Sequence, residues 1–332
     1  MGIKSLTQLI KKTSPNAIQH VGLYTFKDKR VAIDTSIFLY KSLINVRYKG
    51  DYLRNKDGKV ISHIQGIYTK TIQYLSLGIT PIYIFDGKPP TEKSHCIQER
   101  NKKAQECKEK MELTESKAEK QCLEKGSIRM TKEYIDDLKQ LFTLMGVSYI
   151  HPNGEAEAYA AELCRIGYVD AVITEDMDTL AYGCPTLIRS CIDKSMKRPD
   201  IVSVFSIEKI LADFNMDMNQ FVDTCILCGC DYCPTIPKVG SVRAYQHIKD
   251  HGSIDAFIQS GKCEIPEEFK EKYIPARNIF YIFRDKIIVD DIQIHSSSYD
   301  SDGLYVYLVH GCSMSDKRVQ TSLKKIRRFV NE

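Results

Sequence analysis

Acidic side chains follow three apolar, β-branched stretches of this chain. The stretches and their acids are Val31-Ala-Ile-Asp34, Pro81-Ile-Tyr-Ile-Phe-Asp86 and Ala171-Val-Ile-Thr-Glu-Asp176-Met-Asp178. Such runs are typical of strands buried on both faces in a parallel sheet covered by helices. Because sites in these sheets lie outside the carboxyl ends of the strands, we expect the acids to meet at one edge. One aspartate there is usually a turn former, but three strand ends with an Asp-x-Asp pair indicate a divalent-metal site.

The composition sets limits on the class of protein. A chain of 332 residues with 43% hydrophobic content can form one large α/β domain or two ordinary ones. The net charge is only +4, so any affinity for nucleic acid must come from how the basic residues are distributed. Twelve scattered cysteines indicate free thiols in a reducing, intracellular compartment. No apolar run approaches the roughly 20 residues of a membrane helix, so we expect no membrane association.

The segment from Thr91 to about Lys132 is rich in Lys, Arg and Glu and poor in apolar residues. This composition predicts helices with little capacity to form a core. The segment is either a solvated helical hairpin or a helical arch that guides a polyanionic strand across the sheet edge. Lys93 and Arg100 are two helical turns apart and so share one face of the first helix, either as ordinary surface charges or as a functional pair.

The region 219–252 predicts a helix, a tight hairpin and a second helix, at Phe221–Cys228, Ile236–Gly240 and Val242–Ile248. Such a hairpin presents backbone N–H groups to a DNA phosphate without reading the sequence. After Gly261 we expect irregular chain with a loop over 296–301. The final segment is basic through Lys317, Arg318, Lys324, Lys325, Arg327 and Arg328.

Six motifs, in their order and spacing, resemble the flap endonuclease branch of the structure-specific 5′ nucleases from residue 1 to about residue 330. They are Met1-Gly-Ile, Val31-Ala-Ile-Asp34, Phe85-Asp86-Gly-Lys-Pro-Pro90, Glu155-Ala-Glu157-Ala, Thr174-Glu-Asp176-Met-Asp178 and Gly229-Cys-Asp231-Tyr-Cys233. The resemblance implies a single α/β nuclease domain with a mostly parallel central sheet flanked by helices. Its parts are an N-terminal nuclease part (1–90), a helical arch (91–133), an internal nuclease part (134–231), a helix-hairpin-helix region (219–252) and a C-terminal region with a basic end (261–332).

The resemblance also implies an activity, the removal of single-stranded 5′ DNA flaps near the junction with duplex, with 5′–3′ exonuclease activity, in nuclear replication and repair. Two Mg²⁺ ions, for which Mn²⁺ can substitute, supply the chemistry in this family. By position, Asp34, Asp86, Glu155 and Glu157 resemble its first group of metal-binding acids. The second group corresponds to Asp176, Asp178 and Asp231. Lys93 and Arg100 match the basic pair at the scissile phosphate, where positive charge stabilises the transition state.

Further DNA contacts follow from the same resemblance. Tyr40 stands where the family stacks a base, the Gly2 amine lies near the active site in relatives, and Arg47 and Lys70 are either contacts to template phosphate or solvated charges. The remaining predicted DNA-contacting residues are Glu155, Asp231, Lys238 and Gly240. The family usually has glycine where Lys238 stands, which puts in doubt a K⁺ site of backbone carbonyls; the Lys238 charge contacting phosphate directly is the alternative.

The partner expected from this reading is DNA with 5′ flaps, bound by a monomer. Relatives bind the sliding clamp through a tail motif, Gln-x-x-aliphatic-x-x-aromatic-aromatic. Here Gln320-x-x-Leu323 continues with Ile326-Arg327, so clamp binding has no support in the sequence.

Several alternatives remain at this point. A 5′ exonuclease or a junction- or bubble-cutting enzyme shares the same chemistry. A small-molecule phosphatase with Asp34 as nucleophile needs a second Asp two residues on, where this chain has Ser36. A non-catalytic DNA-binding scaffold is expected to lose at least one of the acids. A zinc site at Cys225, Cys228, Cys230 and Cys233 is disfavoured because structural zinc pairs are normally about a dozen or more residues apart.

Overall fold

Ten strands carry the framework of the fold in this computed structural model, which describes residues 2–330 and side chains as far as residue 327. The predicted basic side chain of Arg328 and the residue Met1 lie outside that description. The strands are β1 (Ile18–Gly22), β2 (Arg30–Asp34), β3 (Arg47–Tyr48), β4 (Asp51–Tyr52), β5 (Thr80–Ile84), β6 (Tyr149–Ile150), β7 (Ala171–Ile173), β8 (Thr186–Ser190), β9 (Ile201–Ser206) and β10 (Ile294–His295).

The main sheet has the strand order β1-β9-β8-β7-β2-β5-β6-β10, and β3 pairs with β4 in a separate hairpin. The five central strands, β8 to β6 in that order, run parallel, whereas β9, β1 and β10 are antiparallel additions. On β2, Ile33 pairs with Tyr83 of β5 and with Ile173 of β7, so these three strands end nearly level. The chain leaves β2 toward β5 and later returns to its other side at β7, which makes this edge a topological switch point.

Fifteen α-helices surround the strands among the described residues. They are α1 (Leu6–Thr13), α2 (Thr35–Asn45), α3 (Ser62–Ser76), α4 (Ser94–Leu113), α5 (Lys117–Ser127), α6 (Lys132–Met145), α7 (Ala156–Arg165), α8 (Asp178–Ala181), α9 (Ile207–Phe214), α10 (Met218–Cys228), α11 (Ser241–His251), α12 (Ile254–Gln259), α13 (Glu267–Ile279), α14 (Ser301–Tyr305) and α15 (Asp316–Val330). A π-helical segment, Val306–Gly311, joins the last two.

Two hydrophobic cores lie on opposite faces of the main sheet. Val31 and Ile33 belong to one core, whereas Ala32 between them belongs to the other. This alternation shows that β2 is buried on both sides, which is why its sequence is a continuous apolar run rather than an alternating one. The predicted fold class, α/β with a mostly parallel sheet flanked by helices, is confirmed.

The charged segment 91–133 contains α4 and α5, which contact each other. Ala104 is the buried residue of α4, as expected for a helix with little core. Helices α10 and α11 flank residues 229–240, where the sequence predicts the hairpin. None of the helices within residues 2–330 combines the length and apolar character that crossing a membrane requires.

The expectation of irregular chain after Gly261 is wrong, because α13, α14 and α15 occupy much of that region. Helix α13 even contains Pro275, which cannot donate a backbone hydrogen bond. Its helical state is secured by packing, since Phe269, Tyr273 and Ala276 are buried. Tertiary burial commonly outweighs weak local propensity in this way.

Candidate active site

The first two strand-end acids are each tied to the start of a helix. Asp34 ends β2 and caps α2, accepting the Ile37 N–H at 3.2 Å and the Thr174 hydroxyl at 3.0 Å. Asp86 follows β5, and its Oδ1 accepts the N–H of Ala156, the first residue of α7, at 2.9 Å. These bonds satisfy helix N-terminal donors and orient both carboxylates at the sheet edge.

The Asp-x-Asp pair follows β7. The Asp178 N–H donates to Asp176 Oδ1 at 3.1 Å, and Asp178 is the first residue of α8. Asp178 is 1% exposed, and its Oδ1 is buried without a hydrogen-bond partner. The backbone of Gly2 lies against this pair, because a Cβ built on Gly2 would overlap the Asp176 carboxylate and lie 2.7 Å from Asp178 Oδ1. The structure therefore brings Gly2 to the acids.

Two glutamates and one further aspartate complete the cluster. Glu155 is the N-cap residue of α7, Glu157 lies in its first turn, and each is 7% exposed. Asp231 and Tyr232 form the tip of a tight turn that the β-bridge between Cys230 and Cys233 closes.

Two cysteines of the sequence considered for a zinc site, Cys230 and Cys233, thus close a turn. Cys225, Cys228, Cys230 and Cys233 are free thiols.

Lys93 and Arg100 reach these acids from the start of α4 and from its interior. Lys93 Nζ binds Glu155 Oε1 and lies 3.6 Å from Glu157 Oε1 and 3.8 Å from Asp231 Oδ2. Arg100 Nη2 donates to Asp231 Oδ2 at 2.6 Å. The predicted shared face of the basic pair therefore points into the acidic cluster.

Sequence reasoning missed two residues that touch the cluster. The Tyr232 hydroxyl donates to Glu155 Oε2 at 2.5 Å, and the Tyr182 hydroxyl lies 2.6 Å from that of Tyr232. For Tyr232 a local signal exists, because it follows Asp231 directly in the motif Gly229-Cys-Asp231-Tyr-Cys233. Tyr182 had no local signal, because it is one of nineteen tyrosines and lies beyond the short helix α8.

Burial and mutual repulsion disfavour the charged form of several acids. Burial, followed by the charge of Asp86, raises the pKa of Asp34 to about 7. Burial also raises the pKa of Glu157 and of Asp178 well above the usual range, with Glu155 and Asp176 as the next contributors. Such a cluster is stabilised by cations.

Lys93 already supplies one positive charge to this cluster. Burial acts to lower the pKa of Lys93, but the charges of Glu157, Glu155 and Asp231 outweigh burial and raise it. The ammonium therefore stays protonated at neutral pH.

The donor set suits a hard divalent cation. All seven acids offer oxygen atoms, the ligands that Mg²⁺ prefers. Asp178 Oδ1 is a buried acceptor without a hydrogen-bond donor, so a bound cation would satisfy it. In the described part of the chain, no three His, Cys, Asp or Glu side chains converge on one metal position. The Lys93 ammonium lies among the acids instead. Cation binding would therefore involve local rearrangement of these carboxylates.

The outer predicted DNA contacts lie in different surroundings. Tyr40, on α2, is partly buried against a hydrophobic core. Arg47 is 5% exposed in its side chain, pairs with Glu124 of α5 and stacks 4.0 Å from the Tyr52 ring centroid. The structure thus engages Arg47 with the segment predicted as the arch.

Lys70 lies on α3 beside a cleft of about 820 Å³. Its Nζ donates to Gln73 Oε1 at 3.1 Å. Burial, and then the charge of Lys41, lower the pKa of Lys70. The other basic residues around this cleft are Lys41, Arg189, Lys197 and Arg198.

The hairpin keeps a glycine-like backbone where the sequence has lysine. Lys238 has φ of 65°, in the left-handed region that costs a non-glycine residue roughly 1–2 kcal/mol. Its carbonyl accepts Arg243 Nη1 at 2.8 Å. Gly240 caps α11, and a Cβ built on Gly240 would meet open space. Lys238 is exposed, so its charge is available to a ligand.

The sequence matches two family descriptions. Residues 1–107 match the XPG N-terminal domain, and residues 146–231 match the XPG I-region. Flap endonuclease 1 of Glycine max is 37% identical over 342 aligned residues, covering 100% of this chain and 88% of that protein. Flap endonuclease 1 of Schizosaccharomyces pombe is 35% identical over 335 residues, covering 99% of this chain and 87% of that protein.

Solved structures share the fold over nearly the whole chain. Flap endonuclease-1 from Methanococcus jannaschii matches with a TM-score of 0.71 at 27% identity, over 95% of this chain and 96% of that one. The catalytic core of Rad2 in complex with DNA substrate matches with a TM-score of 0.73 at 21% identity, over 98% and 100%. The second likeness concerns the fold alone.

Proposed function

This chain belongs to the flap endonuclease family and is a structure-specific 5′ flap endonuclease, and from that premise we propose that its acidic cluster hydrolyses DNA phosphodiesters with two Mg²⁺ ions. The observation that carries the proposal is the convergence of strand-end and helix-start acids with Lys93 and Arg100 at one sheet edge. In this position the acids can hold cations, and the two basic side chains can face a phosphate.

All seven acids of the cluster are proposed to hold the cations. Bound Mg²⁺, replaceable by Mn²⁺, supplies an activated water and neutralises charge on the attacking and leaving oxygens. The proposed ligands, direct or through water, are Asp34, Asp86, Glu155, Glu157, Asp176, Asp178 and Asp231. The buried, unpartnered Asp178 Oδ1 supports this assignment, as do the raised pKa values of Asp34, Glu157 and Asp178.

Lys93 and Arg100 are the proposed donors to the scissile phosphate. In the DNA-free chain both are held by acids, and Arg100 is bound to Asp231. A phosphate oxygen is an alternative partner of the same charge, so the two side chains can exchange carboxylate for phosphate without losing an ion pair. Placed there, they stabilise the negative charge that develops in the transition state.

The wider DNA contacts are assigned around this centre. Tyr40 stacks a base beside the cleavage site, and Gly2 lies close enough to the acids to approach the same strand. Lys238 and Gly240 contact duplex phosphate at the hairpin. The positive charge of Lys238 contacts the phosphate directly, in place of a K⁺ ion bound by backbone carbonyls.

Arg47 and Lys70 are the proposed contacts to the template strand. For Arg47 this contact requires release from Glu124. Helices α4 and α5 form the proposed arch, through which the 5′ end threads.

We further propose that the protein works as a monomer in the nucleus, in replication and repair. The clamp motif is incomplete at Gln320–Arg327, so clamp binding is not part of the proposal.

One incubation tests the function. A 5′-labelled flap substrate is given Mg²⁺, EDTA, or Mg²⁺ with the 5′ end blocked by a bulky adduct. We expect cleavage near the junction only with Mg²⁺ and a free 5′ end. Cleavage in EDTA would contradict the metal mechanism, and cleavage of the blocked flap would contradict threading. Nicked, bubble and four-way substrates in parallel distinguish a flap enzyme from junction- or bubble-cutting relatives.

A further inference from the structure

Two buried tyrosine hydroxyls form a chain that ends on Glu155. Tyr232 donates to Glu155 Oε2 at 2.5 Å, and the Tyr182 hydroxyl lies 2.6 Å from the Tyr232 hydroxyl and 3.4 Å from the same Glu155 oxygen. A phenol carries one proton. Since Tyr232 uses its proton on the carboxylate, Tyr182 is the donor to Tyr232.

The rings that carry these hydroxyls are firmly held. Tyr182 is 7% exposed and Tyr232 is 2% exposed, and the ring of Phe280 lies 5.2 Å and 5.5 Å from them, centroid to centroid. Tyr232 also sits at the tip of the tight turn between Cys230 and Cys233. Burial raises the pKa of both tyrosines well above the usual range, so both remain protonated donors at neutral pH.

The two oxygens of Glu155 have different kinds of partner. Oε2 is bound by the buried tyrosines, whereas Oε1 is bound by Lys93 Nζ. Lys93 stands at the entry to α4, and its ammonium is shared with Glu157 and Asp231. One oxygen is therefore fixed by the core, and the other pairs with a long side chain that has several alternative partners.

We propose that Tyr182 and Tyr232 are positioning residues for the reaction: they hold Glu155 through Oε2 so that Oε1 can be exchanged between Lys93 and a divalent cation. The inference rests on the proposed function, in which Glu155 is a metal ligand. Groups that hydrogen-bond to a ligand carboxylate fix its orientation and strengthen metal binding. In the same arrangement Lys93 competes with the cation for Oε1 until it turns to another partner.

The test measures Mn²⁺ binding to the whole, DNA-free protein from the electron paramagnetic resonance signal of the free ion. Tyr232→Phe should weaken binding by about 10-fold or more, as expected for loss of a partner of a ligand. Tyr182→Phe should weaken Mn²⁺ binding by about fivefold, since it removes the hydrogen bond to Tyr232 and leaves the bond from Tyr232 to Glu155 in place. Lys93→Ala should tighten it. The matched control is Tyr273→Phe, whose hydroxyl donates to Asp255 at 2.6 Å outside the site, and we expect no change.

A second readout separates positioning from general destabilisation. For Tyr182→Phe, flap cleavage should require more Mg²⁺ for half-maximal rate yet approach the wild-type kcat at saturating Mg²⁺. If Tyr232→Phe fails to fold, Tyr182→Phe decides. The inference would be overturned if Tyr182→Phe bound Mn²⁺ with wild-type affinity, or if Lys93→Ala bound Mn²⁺ more weakly than wild type. In either case, flap cleavage by the wild-type protein would still uphold the proposed function. A wild-type protein that neither binds Mn²⁺ nor cleaves flaps would overturn both.

Discussion

Arg100 Nη2 donates to Asp231 Oδ2 at 2.6 Å, so the helix α4 is joined to the turn that follows α10. Burial acts to lower the pKa of Arg100, but the charge of Asp231 outweighs burial and raises it. This ion pair connects the segment predicted as the arch with the acidic cluster at the sheet edge. It also keeps a guanidinium at the acids before any DNA phosphate arrives.

Replacing that guanidinium should slow the chemical step more than it weakens binding. We expect Arg100→Ala to lower kcat on a 5′ flap by about 100-fold or more, the loss typical of removing one transition-state donor. Single-turnover cleavage and DNA binding in Ca²⁺ measure the two effects. Lys108→Ala, an exposed charge on the same helix, is the control. Equal losses of binding and rate would show that Arg100 serves binding alone.

The carboxylate of Asp178 should be needed for cleavage and not for folding. Asp178→Ala removes a buried carboxyl group whose ionisation is disfavoured by burial and by Asp176, so the DNA-free protein should stay folded and still bind flap DNA. Cleavage should be abolished, because the unpartnered Oδ1 is a proposed cation ligand. A gel assay for cleavage and a fluorescence assay for binding provide the measurements. Unchanged turnover would overturn the assignment.

The ion pair between Arg47 and Glu124 should hold α5 against the hairpin β3–β4. Arg47 is 5% exposed and Glu124 is 29% exposed, so Glu124→Gln leaves a largely buried guanidinium without its charged partner. We expect this change to weaken the packing of α5 against the hairpin by about 1–2 kcal/mol. Limited proteolysis within residues 94–127 should therefore be faster.

The matched control for that pair lies on the same helix. Lys117 lies 3.8 Å from Asp51, with side chains 75% and 64% exposed. Lys117→Ala should have almost no effect, because exposed ion pairs contribute little. Equal proteolysis of the two variants would mean that the Arg47 contact does not hold the helix.

The raised pKa of Asp34 gives a pH dependence of stability with a definite sign. Burial, and then Asp86, raise this pKa to about 7, whereas an unfolded aspartate titrates near about 3.9. The stability that the protonated group contributes is therefore complete below about pH 4 and is lost as pH rises to about 7. Without metal, Asp34→Asn should be more stable than wild type at pH 8, and its advantage should fade toward pH 4.

Urea unfolding in EDTA at pH 8, 6 and 4.5 measures this difference. Asp170→Asn is a control of opposite sign: burial acts to raise the pKa of Asp170, but hydrogen bonds from Lys29 and the Arg30 N–H outweigh burial and lower it. That variant should be less stable than wild type at neutral pH. An Asp34→Asn variant less stable than wild type at pH 8 would contradict the raised pKa.

Local sequence patterns were enough to predict the sheet-forming runs and the acids at their ends. Val31–Asp34 and Pro81–Asp86 are local patterns, because a strand buried on both faces needs an unbroken apolar run and a polar residue where it emerges. The two-turn spacing of Lys93 and Arg100 was equally local. The expectation of irregular chain after Gly261 overlooked a local pattern, because Phe269, Tyr273 and Ala276 recur at helical spacing and α13 buries all three despite Pro275.

Which side chains meet depends on long-range packing that no local sequence pattern specifies. Tyr182 and Tyr232 are fifty residues apart, and Arg47 and Glu124 are seventy-seven apart, yet each pair is in direct contact. No local pattern encodes such pairs, because they depend on the strand order that sets β7 beside β2 and on the packing of α5 against a hairpin. Chain topology, rather than residue type, therefore made Glu155 a carboxylate held on one oxygen by tyrosines and on the other by Lys93.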